Sequence, residues 1–354
     1  RSTMNTKHDD EKMILSVKAR EETCKAHCAS VDEFLATSTA NVVGLAEGIK
    51  WKDGKPTGEP ALIVLVTHKL DKNQISHKDL IPAKLGDVQT DVLAVGHVFA
   101  GGDCHAASGA GIQTLAKRIR PAQGGYSVGH KNITAGTIAT CVYDILPGGT
   151  TSPPVHGTGI PSKYYILSNN HVLANSNAGS IGDAVLQPGP YDGGVDPADR
   201  IATLSRFIPI TFNPPTPLAS QNNLVDCAIA EAPFHDINRE IYWVGDVRGW
   251  RRKSLVTVGT VVKKTGRTTN FTTGKITAIN ATIDVNYGGG KVARMKDQIV
   301  TTNMSAGGDS GSLVLTLDNI AVGLLFAGSS TSMIANQIEN VRTLLRVEVA
   351  ELML

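Results

Sequence analysis

The segment 307–312, Gly-Gly-Asp-Ser-Gly-Ser, combines a serine hydroxyl with clustered small residues. Serine attacks an amide bond only when a base removes its proton and N–H donors stabilise the oxyanion that forms. Glycines suit the second need, because without a Cβ they let neighbouring backbone N–H groups point at one spot. The same run is equally typical of an ordinary tight turn. Ser310 is therefore a candidate nucleophile that needs partners elsewhere in the chain.

Two other segments contain the partner types. Residues 164–174 begin as an aromatic and aliphatic strand and pass through Ser-Asn-Asn to His171, so we expect His171 at the end of a strand. Asp226 is the one acid in the otherwise apolar stretch 224–230. A lone carboxylate buried there would be costly, so we expect it to have a partner.

Three other histidines have weaker claims to the role of base. His156 and His130 lie in stretches that are typical of turns, and His235 follows Pro-Phe with no small polar neighbour. The local setting therefore favours His171.

The segments Ser-Asn-Asn-His-Val-Leu-Ala, Val-Asp-Cys-Ala-Ile-Ala and Gly-Gly-Asp-Ser-Gly-Ser resemble the signature segments of trypsin-like, chymotrypsin-fold serine proteases. Their chain order, His171, Asp226, Ser310, matters because unrelated serine hydrolases use the same residue types in other orders. The Gly-x-Ser-x-Gly elbow of α/β-hydrolases is absent at this site. The resemblance covers about residues 121–346. It implies two consecutive antiparallel β-barrels and a bacterial-type intracellular member with an extra N-terminal domain.

The resemblance also implies residue roles. Ser310 would be the nucleophile, His171 the general base and then the general acid, and Asp226 the carboxylate that orients the imidazole. The N–H groups of Gly308 and Ser310 would form the oxyanion hole, where losing one donor typically costs about 100- to 1,000-fold in rate. No Arg-Ile-Val-Gly-Gly junction offers a new N-terminus to pair with Asp309. We therefore expect an internal arginine or main-chain donors to hold Asp309.

Substrate contacts follow from the same resemblance. The backbone of Phe326, Ala327 and Gly328 would pair with an extended peptide. We expect the pocket for the side chain before the scissile bond to be lined by Asn303, Met304, Ser305, Ser329, Ser330 and Thr331. None of these is charged, so recognition of a basic side chain is not favoured and a small or apolar one is. Met304 has an alternative as a core filler.

Composition narrows the function class. The chain has 34 Lys and Arg against 32 Asp and Glu, a formal net charge of +2, which gives no case for nucleic acid or an anionic membrane as partner. Glycine makes up 36 of 354 residues, above the usual share of about 7%, as expected for a turn-rich antiparallel β protein. No apolar run approaches the roughly 20 residues of a membrane span. Five cysteines, an odd number, favour a reduced, cytoplasmic compartment.

Cysteines and histidines also raise the question of a metal. Cys24, His27 and Cys28, with Cys104 and His105, could supply zinc ligands. Against this, apolar residues at spacings of three and four predict that Cys24 and Cys28 lie on the apolar face of a helix. We therefore predict no metal and no cofactor.

The chain divides into three parts by pattern. Residues 1–100 predict a small α+β domain, residues 101–120 a Gly-rich linker, and residues 121–354 the protease domain. The first part is predicted to contain helices over 7–35 and 74–85 and strands over 41–45, 61–67 and 90–96. The protease part is predicted to contain a first barrel over about 121–235, a second over about 250–346, and a closing helix over 338–346.

The leading expectation is a serine endopeptidase that acts on protein or peptide substrates through an acyl-enzyme. A catalytically idle or latent protease fold that serves as an interaction scaffold is the alternative, and an esterase on the same fold is a third. The N-terminal domain could restrict substrate access, mediate self-assembly into a homo-oligomer or bind a regulatory partner. These three options stay open at this point.

Overall fold

The computed structural model of the protein describes residues 11–101, 115–133 and 135–354. Most of the predicted linker, together with Cys104 and His105, lies outside the described residues. The helices are α1 (Val17–Thr37), α2 (Asn170–Leu173) and α3 (Ile338–Leu345). Short 3-10 turns cover Lys72–Gln74, His77–Asp79, Pro190–Asp192, Leu218–Ser220, Phe234–Asp236 and Lys253–Leu255.

Strands make up most of the regular structure. They are β1 (Val42–Lys52), β2 (Lys55–Val66), β3 (Lys84–Leu85), β4 (Val88–Ala94), β5 (Phe99–Ala100), β6 (Ala122–Gly124), β7 (Ser127–His130), β8 (Gly136–Thr137), β9 (Cys141–Asp144), β10 (Tyr164–Ser168), β11 (Ala184–Leu186), β12 (Arg200–Phe207), β13 (Ala228–Ala232), β14 (Ile237–Ile241), β15 (Gly249–Trp250), β16 (Val261–Gly266), β17 (Asn270–Asn286), β18 (Val292–Thr302), β19 (Leu313–Thr316), β20 (Ile320–Gly328), β21 (Ser332–Gln337), β22 (Val347–Glu348) and β23 (Leu352–Met353).

Two antiparallel units form the body of the molecule. In the later one, β16, β19, β20, β21, β18 and β17 are neighbours in that order, and β16 also pairs with β17, so the sheet closes into a barrel. In the earlier one, β22, β9, β10, β13, β12, β11, β7 and β8 form an eight-stranded sheet. Because β22 follows α3, the chain returns from the second unit to the first. The predicted mainly-β class, with two consecutive antiparallel units after a small α+β segment, is confirmed.

The N-terminal segment differs in part from its prediction. Ser16 caps α1 by accepting a hydrogen bond from the N–H of Ala19 (3.2 Å), and the helix buries His27 and Val31. Cys28 is exposed, so the prediction that both cysteines lie on the buried face is wrong. The predicted helix over 74–85 is also wrong. Two 3-10 turns and β3 stand there, since Pro82 cannot continue a helix.

The N-terminal strands join the sheet of the second barrel. β1 and β2 form the predicted hairpin, and β1 pairs on its other side with β17, where Gly44 faces Ile283. A Cβ added to Gly44 would lie 2.5 Å from the carbonyl oxygen of Thr282, so this close approach requires glycine. One sheet therefore runs from the N-terminal segment into the barrel, and the division at residues 100 and 121 stays a prediction.

Candidate active site

Strand register brings His171 and Asp226 together. β10 and β13 are antiparallel, with Ser168 opposite Ala228, so the residues that follow β10 and those that precede β13 lie at the same end of the sheet. His171 lies in the four-residue helix α2, directly after β10. The side-chain amide of Asn169 donates to the carbonyl of Asp226 (2.8 Å) and ties the two segments together.

Asp226 and His171 form a short, buried pair. His171 Nδ1 lies 2.6 Å from Asp226 Oδ2, and the backbone N–H of His171 donates to Asp226 Oδ1 (3.2 Å). Asp226 is fully buried, and its own N–H donates to Asn336 Oδ1 (3.0 Å). The partner that the sequence predicts for the buried acid is therefore present. A carboxylate on Nδ1 leaves Nε2 as the nitrogen that can accept a proton.

Tyr287 is a contact that the sequence did not reveal. It follows β17, and its hydroxyl donates to Asp226 Oδ2 (2.9 Å). Burial, together with the negative charge of Asp226, raises the pKa of Tyr287 well above its ordinary value, so the phenol stays protonated and can donate. The only local signal is an aromatic residue ahead of three glycines, which is typical of any hairpin end.

Ser310 lies in the turn between β18 and β19, on the second barrel. It is 4% exposed, and its hydroxyl donates to the carbonyl of Phe326 (3.4 Å). Gly311 has a φ of +98°, and a Cβ there would lie 2.1 Å from Ser168 Oγ, so the turn needs glycine at this position. The first unit contacts this turn directly, because the N–H of Thr137 donates to the carbonyl of Ser310 (2.8 Å).

The His171 and Ser310 segments meet at Gly136. A Cβ on Gly136 would lie 2.4 Å from Val172 Cγ2 and 2.9 Å from the carbonyl oxygen of Ser310. Within the described residues, His171 Nε2 has no hydrogen-bond partner, since the Ser310 hydroxyl is directed at Phe326. The structure thus holds the histidine and the carboxylate in contact, while the Ser310 hydroxyl donates to the carbonyl of Phe326.

Asp309 is held from several sides. Its oxygens accept hydrogen bonds from the N–H groups of Thr268 (2.9 Å), Thr269 (3.1 Å) and Ala306 (3.0 Å), and Lys264 Nζ lies 3.2 Å away. Lys264 and Asp309 are both fully buried, and burial lowers the pKa of Lys264. Of the two expected ways of holding Asp309, an internal arginine or main-chain donors, the structure shows the main-chain donors, and the cation beside them is Lys264.

The turn also fixes Gly308. Its φ is +94°, and a Cβ would lie 2.6 Å from Thr268 Oγ1 and 2.9 Å from Arg267 Cδ. In the described part of the chain, the amides of Gly308 and Ser310 donate to no backbone oxygen. Two N–H groups beside the serine are thus left available for a ligand.

A cavity of about 420 Å³ opens beside Ser310. It is lined by His97, Phe99, Gly101, Asn303, Ser305, Ala306, Gly307, Ser310, Leu325, Ala327, Gly328, Ser329 and Ser330. None of these described lining residues is Asp, Glu, Lys or Arg. Met304 does not line the cavity but packs in the core of the second barrel, which agrees with its alternative as a core filler. The side chain of Phe326 is likewise buried in the core.

Other candidate sites are weaker. His130 is buried in β7, 3.1 Å from Asp183, so its predicted turn setting is wrong, and His156 lies 3.2 Å from Glu348. Among the residues that the structure describes, no group of three or more His, Cys, Asp or Glu could hold a metal ion. Nor does any helix in the described ranges have the length and apolar character needed to cross a membrane.

No family model matches the chain. Glutamyl endopeptidase 2 of Streptomyces griseus is 54% identical over 54 residues, which are 15% of this chain and 26% of that relative, so the chain spans about a quarter of the relative's length.

Solved structures with a similar chain course include Thermobifida fusca protease A, at 17% identity over 65% of this chain and 98% of that one, with a TM-score of 0.43. A glutamic acid specific serine protease matches at 19% identity over 64% and 98%, with a TM-score of 0.42. Cellulomonas bogoriensis chymotrypsin matches at 19% identity over 65% and 98%, with a TM-score of 0.41. In its motifs and in its two β units, the chain resembles trypsin-like serine proteases of the chymotrypsin fold.

Proposed function

We propose that the protein is a serine endopeptidase that hydrolyses peptide bonds through an acyl-enzyme, with Ser310, His171 and Asp226 as its catalytic triad. The observation that supports this most directly is the contact of 2.6 Å between His171 Nδ1 and the fully buried Asp226. It fixes the imidazole with Nε2 free to act as the base, at the end of the sheet that contacts the Ser310 turn.

The chemistry then needs one rotation of the Ser310 hydroxyl, followed by acylation of Ser310 and hydrolysis of the acyl-enzyme. The Ser310 hydroxyl turns from the carbonyl of Phe326 to His171 Nε2, which takes the proton as Oγ attacks the substrate carbonyl carbon. The amides of Gly308 and Ser310 stabilise the oxyanion. The C–N bond breaks as His171 gives the proton to the leaving amine. Water, activated in the same way, then hydrolyses the ester and restores Ser310.

The substrate would lie as an extended strand on the backbone of Phe326, Ala327 and Gly328. The adjoining cavity of about 420 Å³ has hydroxyl and amide groups but no fixed charge among its described lining residues, which favours a small or apolar side chain. Glutamate is the second candidate, because the name of the Streptomyces griseus relative specifies it and because serine hydroxyls can donate to a carboxylate. A peptide library with Ala, Leu, Glu and Arg before the scissile bond separates these options.

The test of the activity is labelling by a fluorophosphonate, which reacts with an activated serine. We expect labelling and peptide cleavage in the wild type and neither in Ser310→Ala. Ser312→Ala is the matched control, because Ser312 lies in the same turn but its hydroxyl donates to the carbonyl of Asp309 (2.6 Å). A well-folded wild type that neither labels nor cleaves would favour the idle scaffold, and cleavage of esters but not peptides would favour the esterase.

We propose a cytoplasmic location on the basis of the thiols. Cys24, Cys28, Cys141 and Cys227 are free, and burial raises the pKa of Cys141 to about 12, which keeps that thiol unreactive. Thiol titration of protein taken directly from cells tests this, since extensive disulfide formation would contradict it. Partners that bind through the N-terminal segment, including a second copy of the chain, remain part of the proposal, and size-exclusion chromatography measures self-assembly.

A further inference from the structure

The edge of β20 on which a peptide would bind is already occupied by the chain itself. β5 pairs antiparallel with β20, with Ala100 opposite Ala327 and Phe99 opposite Gly328. On its other side β5 lies against β17, where the N–H of Asn286 donates to the carbonyl of Val98 (3.0 Å). A short strand is thus inserted between two barrel strands, at two of the residues that the proposed substrate would use.

The inserted segment continues toward the catalytic histidine. One residue beyond Ala100, a Cβ added to Gly101 would lie 3.7 Å from His171 Nε2 and 3.7 Å from Cδ2. Phe99 and Gly101 also line the cavity beside Ser310. The segment therefore covers both the binding edge and the approach to the base.

The segment is anchored at its start. Ser329 Oγ donates to the carbonyl of Val95 (2.5 Å), and Gly96, with a φ of +70°, packs so closely that a Cβ would lie 2.9 Å from the same Ser329 hydroxyl oxygen. The side chain of Val98 is buried in the core of the barrel. These contacts fix the register of β5 on β20.

The segment ends unlike a substrate. Gly101 has a φ of +82°, in the left-handed region, so the backbone is no longer extended at the position next to Phe326. To present its scissile carbonyl to Ser310, an extended substrate would have to keep the strand conformation at the position that Gly101 occupies. The segment therefore pairs with β20 as a substrate would, but its backbone does not continue as an extended strand past Ser310.

We propose that residues 99–101 act as an internal competitor of substrate, which occupies the β20 edge and must leave it before an extended peptide can bind. The inference rests on the proposed function. Within residues 95–101, Phe99 and Ala100 are the ones that pair with β20, and Phe99 is 42% exposed, so the short strand can leave the edge while Val95 and Val98 keep their buried contacts. The long β1 and β17 pairing lies elsewhere on the sheet and keeps the N-terminal segment attached.

The first test is Phe99→Pro in the full chain, with Phe99→Leu as the matched control. Proline removes the N–H of residue 99 and is tolerated poorly within a paired strand, whereas leucine keeps the backbone donor. Because Phe99 lines the cavity, both variants change that side chain, and only the proline removes the N–H. We expect kcat/KM for an extended peptide to be about tenfold higher in Phe99→Pro than in Phe99→Leu. A folded Phe99→Pro protein with the kcat/KM of Phe99→Leu would overturn the inference.

The second test locks the segment in place and does not depend on the first variant folding. Residues directly opposite in an antiparallel pair have the Cα spacing that a disulfide needs, so Ala100→Cys combined with Ala327→Cys should cross-link on oxidation. We expect the oxidised protein to lose peptide hydrolysis and to regain it on reduction. The two single-cysteine variants serve as controls. Full peptide hydrolysis by the cross-linked protein would overturn the inference.

The two proposals fail in different ways. If the wild type labels at Ser310 and cleaves as fast as Phe99→Pro, the endopeptidase stands and the internal competitor falls. If no variant, Phe99→Pro included, labels above the Ser310→Ala background, the proposed function falls and the inference falls with it.

Discussion

Lys264→Met is the most direct perturbation that the structure offers, because it removes the cation that pairs with the buried Asp309 among the described residues. In the wild type, Lys264 Nζ lies 3.2 Å from Asp309 Oδ2 with both side chains fully buried. Breaking such a pair by removing one partner typically costs 3–5 kcal/mol, since a buried charge is left uncompensated. The N–H groups of Thr268, Thr269 and Ala306 still bind the carboxylate. We therefore expect the lower end, about 3 kcal/mol.

The loss of stability would affect the turn that contains Ser310, the proposed nucleophile. Asp309 lies between Gly308 and Ser310, whose amides are the proposed oxyanion donors, so an unpaired carboxylate displaces those donors. About 3 kcal/mol corresponds to roughly 100-fold in an equilibrium or a rate. We expect the rate of fluorophosphonate labelling to fall by about this factor in Lys264→Met, and the free energy of unfolding in urea to fall by about 3 kcal/mol.

Lys263→Met is the matched control on the adjacent residue. Lys263 is half-buried, and its Nζ donates to the carbonyl of Leu317 (2.9 Å), away from Asp309. We expect less than about 1 kcal/mol for its loss, as for other exposed polar contacts. The reasoning is refuted if Lys264→Met labels and unfolds like Lys263→Met. If Lys264→Met loses stability but labels normally, the main-chain donors alone hold the turn.

Three further outcomes follow from buried polar contacts. Tyr287→Phe removes a hydrogen bond to the Asp226 carboxylate, a type of bond that contributes about 1.5–3 kcal/mol. We therefore expect kcat/KM to fall about tenfold and the acid limb of the pH profile of kcat/KM to move to higher pH. An unchanged pH profile would contradict a role of Tyr287 in positioning Asp226. Burial raises the pKa of Glu47 above its ordinary 4.5, so the folded state retains a proton that the unfolded state loses as pH rises. In calorimetry, the Tm of Glu47→Gln minus the Tm of the wild type should therefore grow as the pH rises above 4.5. A Tm difference that does not change with pH would contradict this prediction. Arg342→Met should lower the free energy of unfolding by about 3 kcal/mol, because Glu348, which is 1% exposed, loses its arginine partner and keeps a contact of 3.2 Å with His156. A change under about 1 kcal/mol in urea would disprove it.

The parts of the site that the sequence predicted are those whose signal is local. His171, Asp226 and Ser310 each lie in a short segment whose composition specifies a strand end or a tight turn. Tyr287 and Lys264 gave no such signal. Their partners are 61 and 45 residues away in the chain, and a lysine inside a β-strand is ordinarily a solvated side chain.

The secondary-structure elements that the sequence predicted are likewise those with a local pattern. The β1 and β2 hairpin and α3 have clear patterns, and both are present. β5 has only two residues, too short for any periodicity, and its conformation comes from the two barrel strands on either side of it. Tertiary pairing decides such an element, and no local propensity predicts it.

Gly96 and Gly101 show how one sequence signal can have two structural meanings. The small residues from Gly101 onward predict a linker, since few cores use them. In the structure, Gly96 and Gly101 have φ values of +70° and +82° and bracket the segment that enters between β17 and β20. The backbone freedom that is typical of a domain boundary also lets the chain adopt left-handed backbone angles at Gly96 and at Gly101. Because β17 pairs with β1 and β5 and is followed directly by Tyr287, the N-terminal segment contacts the strand that leads to the Asp226 donor. The proposed control of substrate access and the positioning of Asp226, the proposed catalytic carboxylate, thus share one strand.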